Sequence, residues 1–390
     1  MHVLVIPSWY PASPEDVHGI FFRQQAQAMA SAGLQMGVLA PQMHPVYGPA
    51  WRRGLSARRS RPRVSQEEGL NVVRVDLPAW LPKARWIDAR AAFSQLEQAF
   101  RVYVRRFGRP DVLHAHSLYP AGFLIHLLAA KYGLPWVLTE HRSLGHMPVR
   151  TGLGRRAEQQ VAASAAKRIG VSRGHADFIA QRLGGQWDYV PNLLPPELEA
   201  VTVSDHSGKP LVVGHLSVLD PVKRPELVIK SFAASQLGAD ARLVIGGPLT
   251  DEIEASLRQC ARQVGVEKQL ELPGMVKDVA GFNQQLDVFV LPSITESFGM
   301  VLIEALATGA ALVATDTWGA NTVISDGDGV VVDSADPTEL GAAIKQVSTW
   351  PRDKAGRERR RESCLSRFAL GAFAAKYKEI YAVAAASTHA

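Results

Sequence analysis

Short apolar runs of strand length alternate with helix-length patterns along the whole chain, and that alternation leaves few folds open. Strands separated by helices pair in parallel, with helices covering both faces of the sheet. In the first half, residues 3–6, 37–39, 72–75, 112–115, 136–139 and 169–171 read as strands, with helices predicted over 20–32, 92–106, 121–131 and 174–182. In the second half the strands fall at 211–214, 241–245, 270–272, 288–291, 311–314 and 329–332. Three prolines within 191–196 stop regular structure between the halves. A chain of 390 residues exceeds one typical core. The expectation is therefore an α/β protein of two Rossmann-like doubly wound domains, 1–192 and 199–367, with a closing helix over 368–390. Such sheets bind ligands beyond the carboxyl ends of their strands, which makes a cleft between the halves the natural active site.

Chemistry concentrates in the run from Leu291 to Gly309, where Glu296 and Glu304 stand eight residues apart. A buried strand precedes it, and residues 300–307 are apolar all round, as in a helix with neighbours on every side. The order is strand, polar loop, helix. Free N–H groups at that helix start, with Gly299 permitting close approach, would make a seat for phosphate. Glu304 falls inside the helix, where an unpaired carboxylate is costly, so hydroxyls or a positive charge should meet it.

The run from Glu296 to Glu304 closely resembles the E-x7-E signature of retaining glycosyltransferases with the two-domain GT-B fold, the group that includes sucrose synthase and the phosphatidylinositol mannosyltransferases. The resemblance implies that Glu296 engages the donor sugar, that Glu304 holds the ribose hydroxyls, and that the backbone around Phe298, Gly299 and Met300 meets the diphosphate and the sugar. It extends over nearly the whole chain. The segment 9–11 followed by 19–26 matches the family's first strand, loop and helix, with Gly19 letting amides approach the diphosphate; a plain turn glycine is the other reading. His116, at the end of the strand 112–115, would stand near the reacting carbon and the acceptor. Lys223 fits the family's diphosphate-gripping lysine, and Val276 belongs to a loop that shapes the nucleotide pocket. His215 stands where an arginine is usual, and Arg224 stands where glycine usually follows the lysine, so either would be the second clamp. Trp318 to Asn321 replaces a common glycine pair, and Ala310 a common proline.

On this resemblance the chain is a metal-independent hexosyltransferase without cofactor, taking a UDP- or GDP-sugar as donor. Lys223 and helix-start amides would balance the diphosphate, and the departing phosphate would take the acceptor's proton, leaving Glu296 a positioning residue. The acceptor would be a glycan or a membrane-associated lipid-linked group, such as a glycolipid, a lipid-linked oligosaccharide or a lipopolysaccharide or exopolysaccharide precursor. A non-catalytic nucleotide-sugar binder on the same fold is the rival class.

Other motifs carry other chemistry. His114 and His116 share one strand face at metal-pair spacing, without a convincing third ligand; a structural histidine closing the strand also fits. Gly170 to Gly174 spells G-x-S-x-G, the elbow of an α/β-hydrolase with Ser172 as nucleophile, yet the downstream histidines, His206, His215 and His389, suit a triad poorly. Asp326-Gly327-Asp328 is a D-x-D in a Gly-rich turn.

The net charge of +6 is unevenly placed: Arg52, Arg53, Arg58, Arg59, Arg61 and Arg63 crowd one segment beside Trp51 and Leu55. A solvated loop is one reading and an anionic membrane surface the other. No recognised nucleic-acid-binding motif accompanies these arginines. Cys260 and Cys364 give neither a disulfide framework nor metal spacing, which favours a reducing compartment. With no signal-peptide pattern and no run of about 20 apolar residues, a cytoplasmic location, peripheral on the inner face of the membrane, is expected.

Overall fold

The computed structural model describes every residue except 14, 15, 17, 18, 81–84, 143–151 and 388–390. The chain divides into two compact units, Met1–Pro191 with Phe373–Ala390, and Asn192–Ala372.

The first unit is built on an eight-stranded sheet. Its spatial order is Arg63–Glu67, Leu70–Ala79, Gln35–Pro45, His2–Pro7, Val112–His116, Trp136–Glu140, Lys167–Gly170 and Asp188–Tyr189. All neighbours are parallel except the edge pair Arg63–Glu67 and Leu70–Ala79. The central strands His2–Pro7 and Val112–His116 are buried along their whole length, as a sheet covered on both faces requires. The order reverses between these two, at the register Pro7↔His116. The loops that follow them begin at Ser8 and Ser117, and Ser8 N donates to His116 O at 3.1 Å. Leu4, Phe100, Tyr103 and Trp136 belong to its core.

The second unit carries six parallel strands, in the order Leu270–Gly274, Arg242–Gly246, Val212–Leu216, Val288–Leu291, Ala311–Thr315 and Gly329–Val332. Here the switch falls between Val212–Leu216 and Val288–Leu291. Phe232, Leu243, Val290 and Ile344 belong to its core.

Two features depart from expectation. The arginine-rich segment is a loop only in part: Trp51–Ala57 is a helix, residues 58–62 are turn and irregular chain, and Arg63 opens the antiparallel edge strand. Gly54 and Ala57 are buried, while a Cβ at Gly54 would lie 2.3 Å from Pro45 O, so this helix packs close against the strand Gln35–Pro45. The closing helix runs Leu370–Ala386, separate from Lys354–Phe368 before it. Among the described residues, no helix is long and apolar enough to cross a membrane.

Candidate functional site

The two loops at the second unit's switch point meet. After the strand Val212–Leu216 the chain turns at Lys223, whose amide donates to Asp220 O at 3.0 Å and to Asp220 Oδ1 at 3.1 Å. Val222 O accepts from Ile294 N at 2.8 Å, which ties this loop to the one that follows Val288–Leu291. The Lys223 ammonium forms an ion pair with the Glu296 carboxylate, and both side chains are largely buried. Ser293 Oγ donates to the same Glu296 oxygen at 3.0 Å. Glu296 O accepts from Gly319 N at 3.0 Å. A Cβ at Gly319 would lie 2.4 Å from Phe298 O, so only glycine lets the helix Trp318–Val323 approach this loop.

Gly299, at φ +82°, leads into the helix Met300–Ala307. Phe298 anchors that start, buried and edge-on to Phe368 at 5.7 Å. Inside the helix, Glu304 is pushed up to about 7 by burial, with the nearby Glu197 carboxylate adding to the rise. No hydrogen-bond partner meets its carboxylate among the described residues. At the other end, three guanidinium groups from the helix Lys354–Phe368 take the terminal carbonyls. Arg361 donates to Ala307 O at 2.8 Å, Arg357 to Thr308 O at 2.9 Å and Arg360 to Gly309 O at 2.9 Å. They satisfy groups that every helix C-terminus leaves open and suit its negative dipole end.

The two candidates for the second cation differ in setting. His215 is fully buried, with Nδ1 2.8 Å from Val290 O and Nε2 2.8 Å from Ser217 Oγ. Burial lowers it to about 4, so it is neutral near pH 7. Arg224 is partly exposed at φ +51°, a left-handed conformation that suits the glycine expected there and is strained for arginine. Val276 is half-buried and packs toward Gly246, at the end of the neighbouring strand Arg242–Gly246.

Gly19 and His116 fall in the first unit. Gly19, at φ +83°, precedes the helix Ile20–Ser31, and a Cβ there would lie 2.8 Å from the Trp9 ring. The glycine carbonyl accepts from Phe22 N at 3.1 Å, and the Phe22 ring lies 4.6 Å from that of His116. His116 is buried at the end of its strand, and its Nδ1 is 2.9 Å from His141 Nε2. His114 turns instead to Tyr381 OH at 2.8 Å and Thr139 Oγ1 at 2.9 Å, and Tyr377 OH reaches the same threonine at 3.1 Å. His114 is thus spent on holding the closing helix, and a shared metal with His116 finds no support in its contacts. A cavity of about 280 Å³ at the ends of the neighbouring strands is lined by Trp9, Tyr10, Gln42, Arg74 and Tyr119, among others. Two arginines line it: Arg74 is held by a two-pronged bond to Glu67, and Arg63 pairs with Asp76 at 2.8 Å.

Two motifs are occupied structurally. Ser172 is fully buried and caps the helix Arg173–Leu183, accepting from His175 N at 3.3 Å, which is no posture for a nucleophile. His206 pairs with Asp287 at 2.8 Å, and His389 lies outside the described residues. Asp328 is engaged by Arg367 at 2.6 Å and Ser363 at 3.1 Å, while Asp326 is exposed. Ser293 is an addition without a signal in the sequence; Gly319 carried one, as the glycine left in Trp318 to Asn321, and His141 carried a weaker one, closing Thr139-Glu140-His141 at the end of its strand.

Two doubly wound sheets, each with a switch point, make up the two-domain architecture called GT-B. Residues 18–192 match the model of the glycosyl transferase 4-like domain and residues 199–362 that of glycosyl transferases group 1. The chain belongs to this glycosyltransferase family. It is 28% identical to a D-inositol 3-phosphate glycosyltransferase of Geodermatophilus obscurus over 62% of the chain and 60% of that relative, under two thirds of its length. A protein of the same name from Corynebacterium urealyticum is 25% identical over 84% of the chain and 81% of the relative. Among solved structures, Anabaena Alr3699/HepE in complex with UDP is similar at a TM-score of 0.72 and 17% identity, covering 98% of this chain and all of that one (100%).

Proposed function

We propose that this protein transfers a sugar from a nucleoside diphosphate sugar to an acceptor hydroxyl, with retention of configuration. The observation that carries the reading is the Lys223–Glu296 pair, set where the Glu296 loop runs into the helix start at Gly299. A donor diphosphate would take the Lys223 ammonium, the Arg224 guanidinium and the amides of Gly299 and Met300. Glu296, freed of its lysine, would then accept hydrogen bonds from sugar hydroxyls. The anomeric carbon–oxygen bond to the β-phosphate breaks, the acceptor oxygen bonds to the same carbon, and the acceptor's proton passes to the departing phosphate on that face. Charge on the leaving diphosphate grows during the break, so fixed cations and helix-start amides lower the barrier. These groups supply the charge that a metal would otherwise balance, so the reaction is proposed to proceed without one. Glu304 would hold the ribose hydroxyls, which supply the donors its carboxylate lacks. UDP is favoured as carrier by the Anabaena relative's complex, with GDP as the competing base. Val276 is proposed to shape the nucleotide pocket, and for Gly19 and His116, which belong to the first unit, the proposed roles are those the resemblance implies.

The acceptor is proposed to be membrane-associated, because the helix Trp51–Ala57 faces solvent with Trp51, Arg52, Arg53 and Leu55. No carboxylate occurs between Asp16 and Glu67, so this face is uniformly cationic in sequence. The decisive experiment incubates the protein with UDP- and GDP-sugars and follows nucleotide diphosphate release and the anomeric configuration of the product by NMR, with and without EDTA. Sugar transfer with retention in EDTA supports the proposal. Donor binding without any release of diphosphate makes the protein a binding module, and inversion or strict metal dependence overturns the mechanism.

A further inference from the structure

Two neutral imidazoles that share one hydrogen bond must divide the hydrogens between them, and a third nitrogen decides how. His116 Nδ1 and His141 Nε2 lie 2.9 Å apart, and one of the two carries the hydrogen. If His116 donated, His141 would carry its own hydrogen on Nδ1. That nitrogen is buried, and among the described residues no acceptor meets it. The rings of Phe21 and Phe22 flank the imidazole at 5.3 and 5.1 Å and offer no oxygen or nitrogen. A buried N–H without an acceptor loses its hydration with no return, whereas an idle ring lone pair loses less. The arrangement with the hydrogen on His141 Nε2 is therefore the stable one.

We infer that His141 is a positioning residue that donates to His116 Nδ1 and so fixes His116 as the tautomer with its hydrogen on Nε2. Resting on the glycosyl-transfer reading above, His116 then meets a sugar or acceptor oxygen as a neutral hydrogen-bond donor and does not act as a base. That is the complement of a reaction in which the departing phosphate takes the proton. Neither ring charges near neutral pH, because burial lowers His141 to about 3 and His116 well below its usual value. The surrounding structure keeps His141 in place. Its backbone amide donates to Glu140 Oε1 at 3.0 Å, and that buried carboxylate also accepts from Leu118 N at 2.8 Å and pairs with Arg142 at 3.2 Å. The strand that ends at His116 and the strand that ends just before His141 are paired at His116↔Thr139.

The test is long-range proton–nitrogen NMR of the histidine rings in the ¹⁵N-labelled full chain, which reads each tautomer without any need for activity. The expected result is His116 protonated on Nε2, with His141→Phe mixing or reversing that tautomer. His141→Gln, which keeps an N–H donor, is expected to restore it. In the transfer assay His141→Phe should lower kcat roughly 10- to 100-fold with little change in donor KM, as for loss of an oriented donor, and His141→Gln should recover part of it. A wild-type His116 protonated on Nδ1 overturns the inference, as does a folded His141→Phe variant with an unaltered His116 tautomer. If the protein transfers no sugar, the proposed function fails while the NMR result still decides the tautomer.

Discussion

Lys223 and Glu296, 73 residues apart in sequence, are joined as an ion pair within one unit of the protein. The lysine belongs to the loop after one switch-point strand and the glutamate to the loop after its neighbour. A nucleoside diphosphate sugar entering here would exchange this pair for a lysine–phosphate and a glutamate–hydroxyl contact. Lys223→Ala is therefore expected to cut kcat on the order of 100-fold while changing donor affinity less, since leaving-group charge is greatest in the transition state. Steady-state kinetics under saturating donor check this; unchanged turnover removes Lys223 from the chemistry.

Glu304 makes donor affinity depend on pH. Its folded-state value of about 7 stands above the usual 4.5, so the folded protein holds a proton that the unfolded chain releases between these values. The stability this contributes is fully present below about 4.5 and is lost as pH rises through about 7. Ribose hydroxyls favour the carboxylate, so donor affinity is expected to rise with pH below about 7, by up to tenfold per unit, and to level off above. Calorimetry across that range should show the rise in wild type and a flat, weaker profile in Glu304→Gln.

Gly319 is a sensitive point although it has no side chain of its own. A methyl group there would press on the backbone of Phe298, and the shift would be felt at Glu296, whose carbonyl the Gly319 amide holds. Gly319→Ala should lower stability by about 1–3 kcal/mol and depress turnover although every polar group remains. Thermal melts and kinetics on the same sample would separate the two effects; a variant normal in both refutes the steric argument.

Ser172→Ala should lose a helix cap worth about 1 kcal/mol and leave sugar transfer unchanged in the folded protein. Loss of all activity without loss of fold would return the serine to chemistry.

For membrane docking, the relevant arginines are those with no contact outside their own segment; Arg52 lies only over the ring of its neighbour Trp51. Arg63 holds Asp76 at 2.8 Å and Arg58 lies over the Trp80 ring, so both are left in place. Replacing Arg52, Arg53, Arg59 and Arg61 with Ser should weaken binding to phosphatidylserine-containing vesicles at least tenfold at low salt, at about 1 kcal/mol per arginine. Co-sedimentation that is equal for both proteins would reduce the helix to a solvated surface element.

Much of the site could be read from sequence because its local signals agree. The run from Val288 to Ala307 changes from continuous apolar strand to polar loop to apolar helix, and the observed helix spans Met300–Ala307 as its pattern predicts. The edge strand Arg63–Glu67 escaped because arginine, serine and glutamate in an exposed strand lack the apolar signature on which strand prediction depends. Ser293 was hidden for a different reason: it acts through a partner that only folding supplies. The place of His141 at a strand end was legible, but its pairing with His116 was not. The nature of His215 could not be judged from its position either, since its neutrality comes from complete burial.

Arg357, Arg360 and Arg361 invert the usual economy of a charged helix, because their side chains are buried and bind carbonyl oxygens rather than solvent or substrate. Their consequence is a minimum length for the second unit. A fragment ending near residue 350 would retain Lys223, Glu296, Gly299 and Glu304, yet it would leave the carbonyls of Ala307, Thr308 and Gly309 without their donors. Such a fragment would contain all the second-unit groups proposed to hold the donor and lack the scaffold on which they converge.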